Sequence, residues 1–303
     1  VRAPFVPERL VTDRRAKGSH SLRYEDVAQD GRVILSALPP AMGEIVFRSG
    51  LVDRERQARL LADPQGAILP ILTRLYLEAT EEEVGVEAPL EAEGALGLAH
   101  AIDDAGAIDR VFLEVEVGLR GRRGRTHVAP RPGDGTPVEV GRVFAEHVFT
   151  RPWAAPSARR VVEIPSPSGP LDLGPLRRPR PLSASAELPT GARPIDAAPA
   201  LDPQPIVFGL AHTDANLHVN SLAYVRLFEE AFLRRLVAIG ESTTVLARWI
   251  EIAYRKPCFA GDRMRIRLQA FARDGEVGAT GAFVPEADPW TDRPHVYVRI
   301  GAR

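Results

Sequence analysis

The sequence predicts an α+β protein built as a tandem of two domains, each with a central helix wrapped by an antiparallel β-sheet. Three observations carry this expectation. A well-marked amphipathic helix is followed directly by four alternating strand segments, an earlier run of strand segments occupies the first half, and a stretch rich in proline, serine and alanine separates the two. The 303 residues suit two domains of about 150 residues each. The expected boundaries are an N-terminal domain at 19–152, a linker or crossover at 153–204, and a C-terminal domain at 205–303.

The first domain opens with SHSLRYEDVAQDGRVILSALPPAMGEIVFR, which reads as two short strand-like pieces and a helix after Pro40. Glu44 interrupts the apolar run AMGEIVF, so in a central helix it becomes a candidate pocket residue. Strand segments follow in ILTRLYLEATEEE, ALGLAHAI and RVFLEVEVGLR. In the last of these, Val111, Leu113, Val115 and Val117 fall on one face and Arg110, Glu114 and Glu116 on the other. The arginine cluster Arg120, Arg122, Arg123 and Arg125 reads as a solvated hairpin tip. A further strand, GRVFAEHVFTRP, ends the domain.

The second domain begins with the strand PIVFGLAH, breaks at HTDANLH, and enters the helix VNSLAYVRLFEEAFLRRLVAIG. Its apolar positions, Tyr224, Phe228, Phe232 and Leu236, recur at helical spacing, and Gly240 is placed to end it. Arg226 with Glu230 and Glu230 with Arg234 mark an exposed face. WIEIAYR, RMRIRLQAFAR, EVGATGAFV and HVYVRI then read as strands, with Met264, Ile266 and Leu268 on the covered side.

Composition excludes several classes of function. Thirty-nine basic against 40 acidic residues leave a net charge of -1, so nucleic acid held by bulk electrostatics is not expected. The single cysteine, Cys258, excludes an intrachain disulfide, and the seven histidines show no metal-ligand spacing. No apolar stretch is long enough to span a bilayer, and the first twenty residues lack a continuous apolar signal segment. The expectation is a soluble, cytoplasmic protein without membrane insertion and without a cofactor or metal.

The polar residues at the helix entrance carry the functional signal. Asp214 offers a base or nucleophile, the Asn216 amide can donate and accept, and His218 can exchange a proton near neutral pH. An Asx turn with a helix cap accounts for Asp214, Asn216 and Asn220 on purely structural grounds. Tyr224 packs one turn farther on, with a hydroxyl able to face a ligand, and Glu229 is a candidate second carboxylate. Cys258 reads either as a buried apolar residue or as a nucleophile.

HTDANLHVNSLAYVRLFEEAFLRRL resembles the start of a hotdog thioesterase domain, and IAYRKPCFAGDRMRIRL resembles its companion strand, turn and strand. The close resemblance covers the last third of the chain, and the total length is similar to that of double-hotdog acyl-carrier-protein thioesterases. The family signature Asp-x-Asn-x-His-Val-Asn matches Asp214, Asn216, His218, Val219 and Asn220. The resemblance implies that Asp214, Asn216 and His218 lie beside the acyl thioester as the catalytic set; the residues themselves offer Asn220, Tyr224, Glu229, Cys258 and Glu44 as candidate substrate contacts. It implies hydrolysis of an acyl thioester of acyl-carrier protein or coenzyme A, by a monomer or a homodimer. Two positions depart from the family: His212 stands where single-domain relatives often have an acid, and Pro257 where plant-type double-domain enzymes have a catalytic glutamate. Dehydration or another tailoring step in fatty-acid or polyketide synthesis, or noncatalytic acyl binding, are the alternative expectations.

Overall fold

A computed structural model describes residues 7–48, 53–166 and 171–303. The chain forms an α+β fold in which helices pack on one face of a large antiparallel sheet. Five strands come from the first half: β1 (Arg15–His20), β2 (Leu69–Ala79), β3 (Leu90–Ile102), β4 (Ile108–Arg122) and β5 (Pro137–Thr150). Three two-residue strands follow, β6 (Arg193–Pro194), β7 (Ala200–Leu201) and β8 (Ile206–Val207). Four long ones complete the sheet: β9 (Ala247–Tyr254), β10 (Arg263–Arg273), β11 (Glu276–Pro285) and β12 (Val296–Ala302). The order is β1-β3-β4-β5-β2-β9-β12-β11-β10, and β6, β7 and β8 each pair with β10.

The two halves of the chain meet at β2 and β9, which pair antiparallel from Arg74 opposite Ala253 to Glu78 opposite Trp249. The short strands sit along β10 as the chain crosses from one half to the other, satisfying backbone groups that an open edge would leave exposed.

The helix expected in the second half is α3 (Ser221–Ala238). Asn220 caps it, its Oδ1 accepting the Ala223 N–H at 3.0 Å. Gly240, at φ +76°, takes the left-handed conformation that ends it, and the Glu241 N–H returns to the Leu236 carbonyl at 2.9 Å. Tyr224, Phe228, Ala231, Phe232 and Leu236 are buried against the sheet. Each large side chain so removed from water contributes about 1.5–3 kcal/mol. On the opposite side Glu230 and Arg234 pair at 3.6 Å, but the shorter bonds of Arg234 go to Asp202 of the crossover, at 2.9 and 2.8 Å.

In the first half, α1 (Pro39–Gly43) continues into a π-helical turn at Glu44–Arg48, and α2 (Arg54–Leu61) starts at an Asp53 cap. Pro39 and Pro40 occupy the first helical positions, where the missing amide hydrogens have no helical partner to lose. Leu38, Ala41 and Ile45 share one continuous core with Val115, Val117, Phe228 and Phe232.

The alternation in β4 and β10 puts Val115, Val117, Met264, Ile266 and Leu268 in that core, with Leu113 packed against it and Val111 in a neighbouring cluster with Leu60 and Phe149. On the opposite, outer face Glu114 and Glu116 are buried too, while Arg110 stays exposed. Glu116 accepts the Arg9 guanidinium at 2.7 Å and the Leu10 N–H at 2.9 Å, and Glu114 holds Arg177 through two bonds of 3.0 and 2.9 Å. The 7–12 segment and the crossover cover this face, the first bringing Arg9 and the second Arg177 to the sheet's acids. Deeper still, Glu251 on β9 accepts Arg74 on β2 at 2.6 Å, Arg299 on β12 at 2.7 Å and the Ser185 hydroxyl of the crossover at 2.7 Å. The arginines expected at a solvated hairpin tip are likewise partnered: Arg123 binds Glu82 and Arg125 binds Glu83, both at 2.7 Å.

Candidate active site

The break before α3 is a tight turn with its own internal bonds. The Asp214 N–H donates to the His218 carbonyl at 3.2 Å, the Leu217 N–H returns to the Asp214 carbonyl at 3.0 Å, and Thr213 and Val219 form an antiparallel bridge. Leu217 takes φ +65°, which a non-glycine residue adopts at some cost and which here reverses the chain. Asp214 Oδ1 accepts the Asn216 N–H at 2.8 Å, the Asx turn anticipated from the residue types.

Two longer-range bonds place this turn in the fold. The Val219 N–H donates to the Cys258 carbonyl at 2.8 Å, tying the turn to the β9–β10 loop, and the Asn220 N–H donates to the His212 carbonyl at 2.9 Å. His212 itself turns inward, its Nδ1 accepting the Gly209 N–H at 2.9 Å, so it serves the loop as an acceptor.

Asp214 and Asn216 are exposed and His218 is half-buried. Among the described residues neither the Asn216 amide nor the His218 ring makes a side-chain hydrogen bond. A carboxylate, an amide and an imidazole thus stand within five residues, just ahead of the cap of an 18-residue helix. Such a set can activate water, hold an oxyanion and move a proton.

Tyr224 and Cys258 lie directly beneath. Tyr224 is buried in an aromatic cage, with ring centroids 5.8 Å from Phe208, 5.7 Å from Tyr254 and 5.1 Å from Phe283. Burial raises its phenol above the ordinary range, and the neighbouring Cys258 adds to the shift. Cys258 is fully buried, and burial pushes its thiol up to about 11, with the Tyr224 hydroxyl pulling the other way. Its Sγ lies 3.3 Å from His295 Nδ1, and that imidazole is held below its usual pKa, first by burial and then by Lys256 and Arg255. A neutral thiol beside a neutral ring is a poor nucleophile, which favours the packing role for Cys258.

Glu229 lies about two and a half turns along α3 from the cap. It is half-buried, and burial raises its carboxyl to about 7, partly opposed by Arg226 and reinforced by Glu230. Glu44 is elsewhere, on the π-helical turn, paired with Arg48 at 3.0 Å. Thus Asn220, Tyr224 and Cys258 gather at the turn, Glu229 extends from it along the helix, and Glu44 belongs to the other helix. Pro257 is exposed on the loop that receives Val219.

His295 was not legible in the sequence: 37 residues separate it from Cys258, and only the pairing of β9 with β12 brings them together. Among the described residues no three His, Cys, Asp or Glu side chains are placed to hold a metal ion, and no helix is long and apolar enough to cross a membrane.

No family model matches the chain, and no curated protein matches it. Solved structures do. An acyl-ACP thioesterase from Bacteroides thetaiotaomicron superposes with a TM-score of 0.57 at 14% identity, over 96% of this chain and 98% of that one. The 12:0-ACP thioesterase from Umbellularia californica superposes with a TM-score of 0.55 at 12% identity, over 97% of this chain and 99% of that one. At such identities the likeness speaks for the fold alone, a hotdog-type fold that this chain shares with both structures over nearly its whole length.

Proposed function

We propose that the chain is an acyl-thioester hydrolase acting on an acyl-carrier-protein or acyl-CoA substrate, with tandem hotdog domains at 19–152 and 205–303 joined by the crossover at 153–204. The observation that carries this reading is the Asp214–His218 turn at the N-terminus of α3, where an exposed carboxylate and an amide and imidazole without side-chain partners among the described residues stand together. Full-length likeness to two acyl-ACP thioesterases supports it.

In this reading Asp214 takes a proton from water, whose oxygen attacks the thioester carbonyl carbon. Asn216 donates to the developing oxyanion. The C–S bond then breaks, His218 delivers the proton that the departing thiolate needs, and the proton taken by Asp214 returns to His218 through solvent. The products are a carboxylic acid and a free thiol. Asn220 and Tyr224 hold the turn and its underside, and Glu229 borders the acyl path. A homodimer is compatible with this arrangement, as is a monomer.

Exposed Pro257, where the family resemblance expects a second carboxylate, keeps dehydration as a second reading. The test follows thiol release and product mass with short, medium and aromatic acyl-CoA and acyl-carrier-protein thioesters. Hydrolysis predicts thiol release that Asp214→Asn and His218→Ala each remove from a folded protein. Loss of water without thiol release points to dehydration. Thiol release unaffected by both substitutions, or none across the panel, ends the hydrolase reading.

A further inference from the structure

On the sheet face turned away from α3, a cavity of about 460 Å³ opens between β2, β4, β5 and the crossover at 177–182. Its volume falls in the range of about 300–1,000 Å³ usual for small-molecule sites. The floor is apolar, made by Phe112 and Phe144, both buried, and by Val148.

The polar wall comes from an irregularity in β2. Leu72 pairs with His147 and Arg74 with Glu146, so Thr73 is an extra residue in a β-bulge. Its hydroxyl reaches Glu146 Oε1 at 2.9 Å and the Glu146 carbonyl at 3.1 Å, which fixes that carboxyl in the cavity wall. Bulges of this kind recur where a sheet re-aims side chains at a site.

The guanidinium groups around the cavity divide into two sets. Arg177 is committed to Glu114 by two bonds, Arg74 to Glu251 at 2.6 Å, and Arg180 stands 3.7 Å from the same Glu251 carboxylate. Arg110 and Arg178 are different. The Arg110 side chain is 57% exposed; among the described residues its ion pair is with its chain neighbour Asp109, at 3.3 Å, which also receives Arg160 at 3.1 Å, and its charge also acts on the Glu146 carboxyl. Arg178 is exposed and forms no ion pair among the described residues. Two planar donors with spare capacity therefore edge an apolar floor. Such forks match the geometry of carboxylate and phosphate.

We propose that this outer-face cavity binds a small amphipathic oxyanion, with its apolar body on Phe112, Phe144 and Val148 and its carboxylate or phosphate held by Arg110 and Arg178. The site lies across the sheet from the Asp214 turn, so it stands apart from the activity proposed above.

Octanoate and octyl phosphate are the probes, titrated calorimetrically into the full chain; comparing them separates a carboxylate ligand from a phosphate one. The expected result is saturable binding of at least one probe, weakened roughly tenfold or more in Arg110→Gln/Arg178→Gln, as for loss of a charge-assisted pair. Val148→Phe, which fills the floor without touching charge, is expected to give the same loss. Melting temperatures confirm that the variants fold, and Arg178→Gln alone serves if the double variant does not. The proposal is overturned if neither probe binds, or if whichever probe binds the wild type binds the folded variants equally well.

Discussion

Replacing Glu251 by alanine would strand two guanidinium groups where water cannot reach them. Glu251 is fully buried and accepts Arg74, Arg299 and the Ser185 hydroxyl at 2.6, 2.7 and 2.7 Å. The Arg74 and Arg299 side chains are only 2% and 0% exposed. Removing one member of a buried pair costs about 3–5 kcal/mol, mostly the penalty of the charge left behind. Loss of the Ser185 bond adds about 1 kcal/mol. A total of at least about 4 kcal/mol is expected, which at about 2–4 °C per kcal/mol lowers the melting temperature by roughly 10 °C. The location sharpens the prediction, since Arg74 and Glu251 sit on β2 and β9, the strands that join the two halves of the sheet.

The same group predicts a pH dependence. Burial alone would raise the Glu251 carboxyl, but Arg299, Arg74 and Arg180, with the Ser185 hydroxyl, outweigh it and hold the pKa below the ordinary carboxylate range. A depressed folded-state pKa stabilises the fold fully above the unfolded value of about 4.3, and that contribution fades as pH falls through the folded value. Wild type should therefore lose stability in acid more steeply than Glu251→Ala. Replacing all three residues by apolar ones of similar size, Arg74→Met with Glu251→Leu and Arg299→Met, should cost less than the single change, because neither of the two most deeply buried guanidinium groups is left behind without Glu251. Calorimetric melting across pH 3 to 8 measures all three. A Glu251→Ala variant melting within about 2 °C of wild type at pH 7 would refute the reasoning, on the same scale of degrees per kcal/mol.

Three further outcomes follow from the site and its helix. Glu229, with its carboxyl raised to about 7, stabilises the fold best while protonated, and that contribution is lost as pH rises from its unfolded value through 7. Glu229→Gln should thus melt higher than wild type at pH 8 and nearly equal to it at pH 5; the reverse order would show that the carboxylate is well solvated. Cys258, buried with a thiol near 11, should react with a thiol reagent only on unfolding, and Cys258→Ser should keep thiol release. A folded Cys258→Ser that had lost activity would restore the nucleophilic role. Asn220→Ala should lower stability by about 1 kcal/mol through loss of the α3 cap, measured by urea denaturation, and no loss would mean that another group takes the Ala223 amide.

What could be read from the sequence divides by the range of the interactions involved. Helix α3 was legible because its cap, its apolar stripe and its terminating glycine all lie within 21 residues of one another, and each is a local choice of the backbone. The Asp214 turn was legible for the same reason, since its Asx bond spans two residues. The first-half helix was faint because two prolines blur its start and a π-helical turn breaks the 3.6-residue rhythm at Glu44–Arg48. The cover over the outer face was not legible, for a deeper reason. A strand alternating valine with glutamate states which side is apolar, but not whether the other side meets water. Glu114 is covered because Arg177 lies 63 residues later on a crossover whose composition suggests only a linker. Once arginines at 177 and 180 and Ser185 reach back to the sheet, the polar face becomes an interior. Its cavity has no counterpart in any local motif, because Thr73, Phe112, Glu146 and Arg178 come from three strands and the crossover.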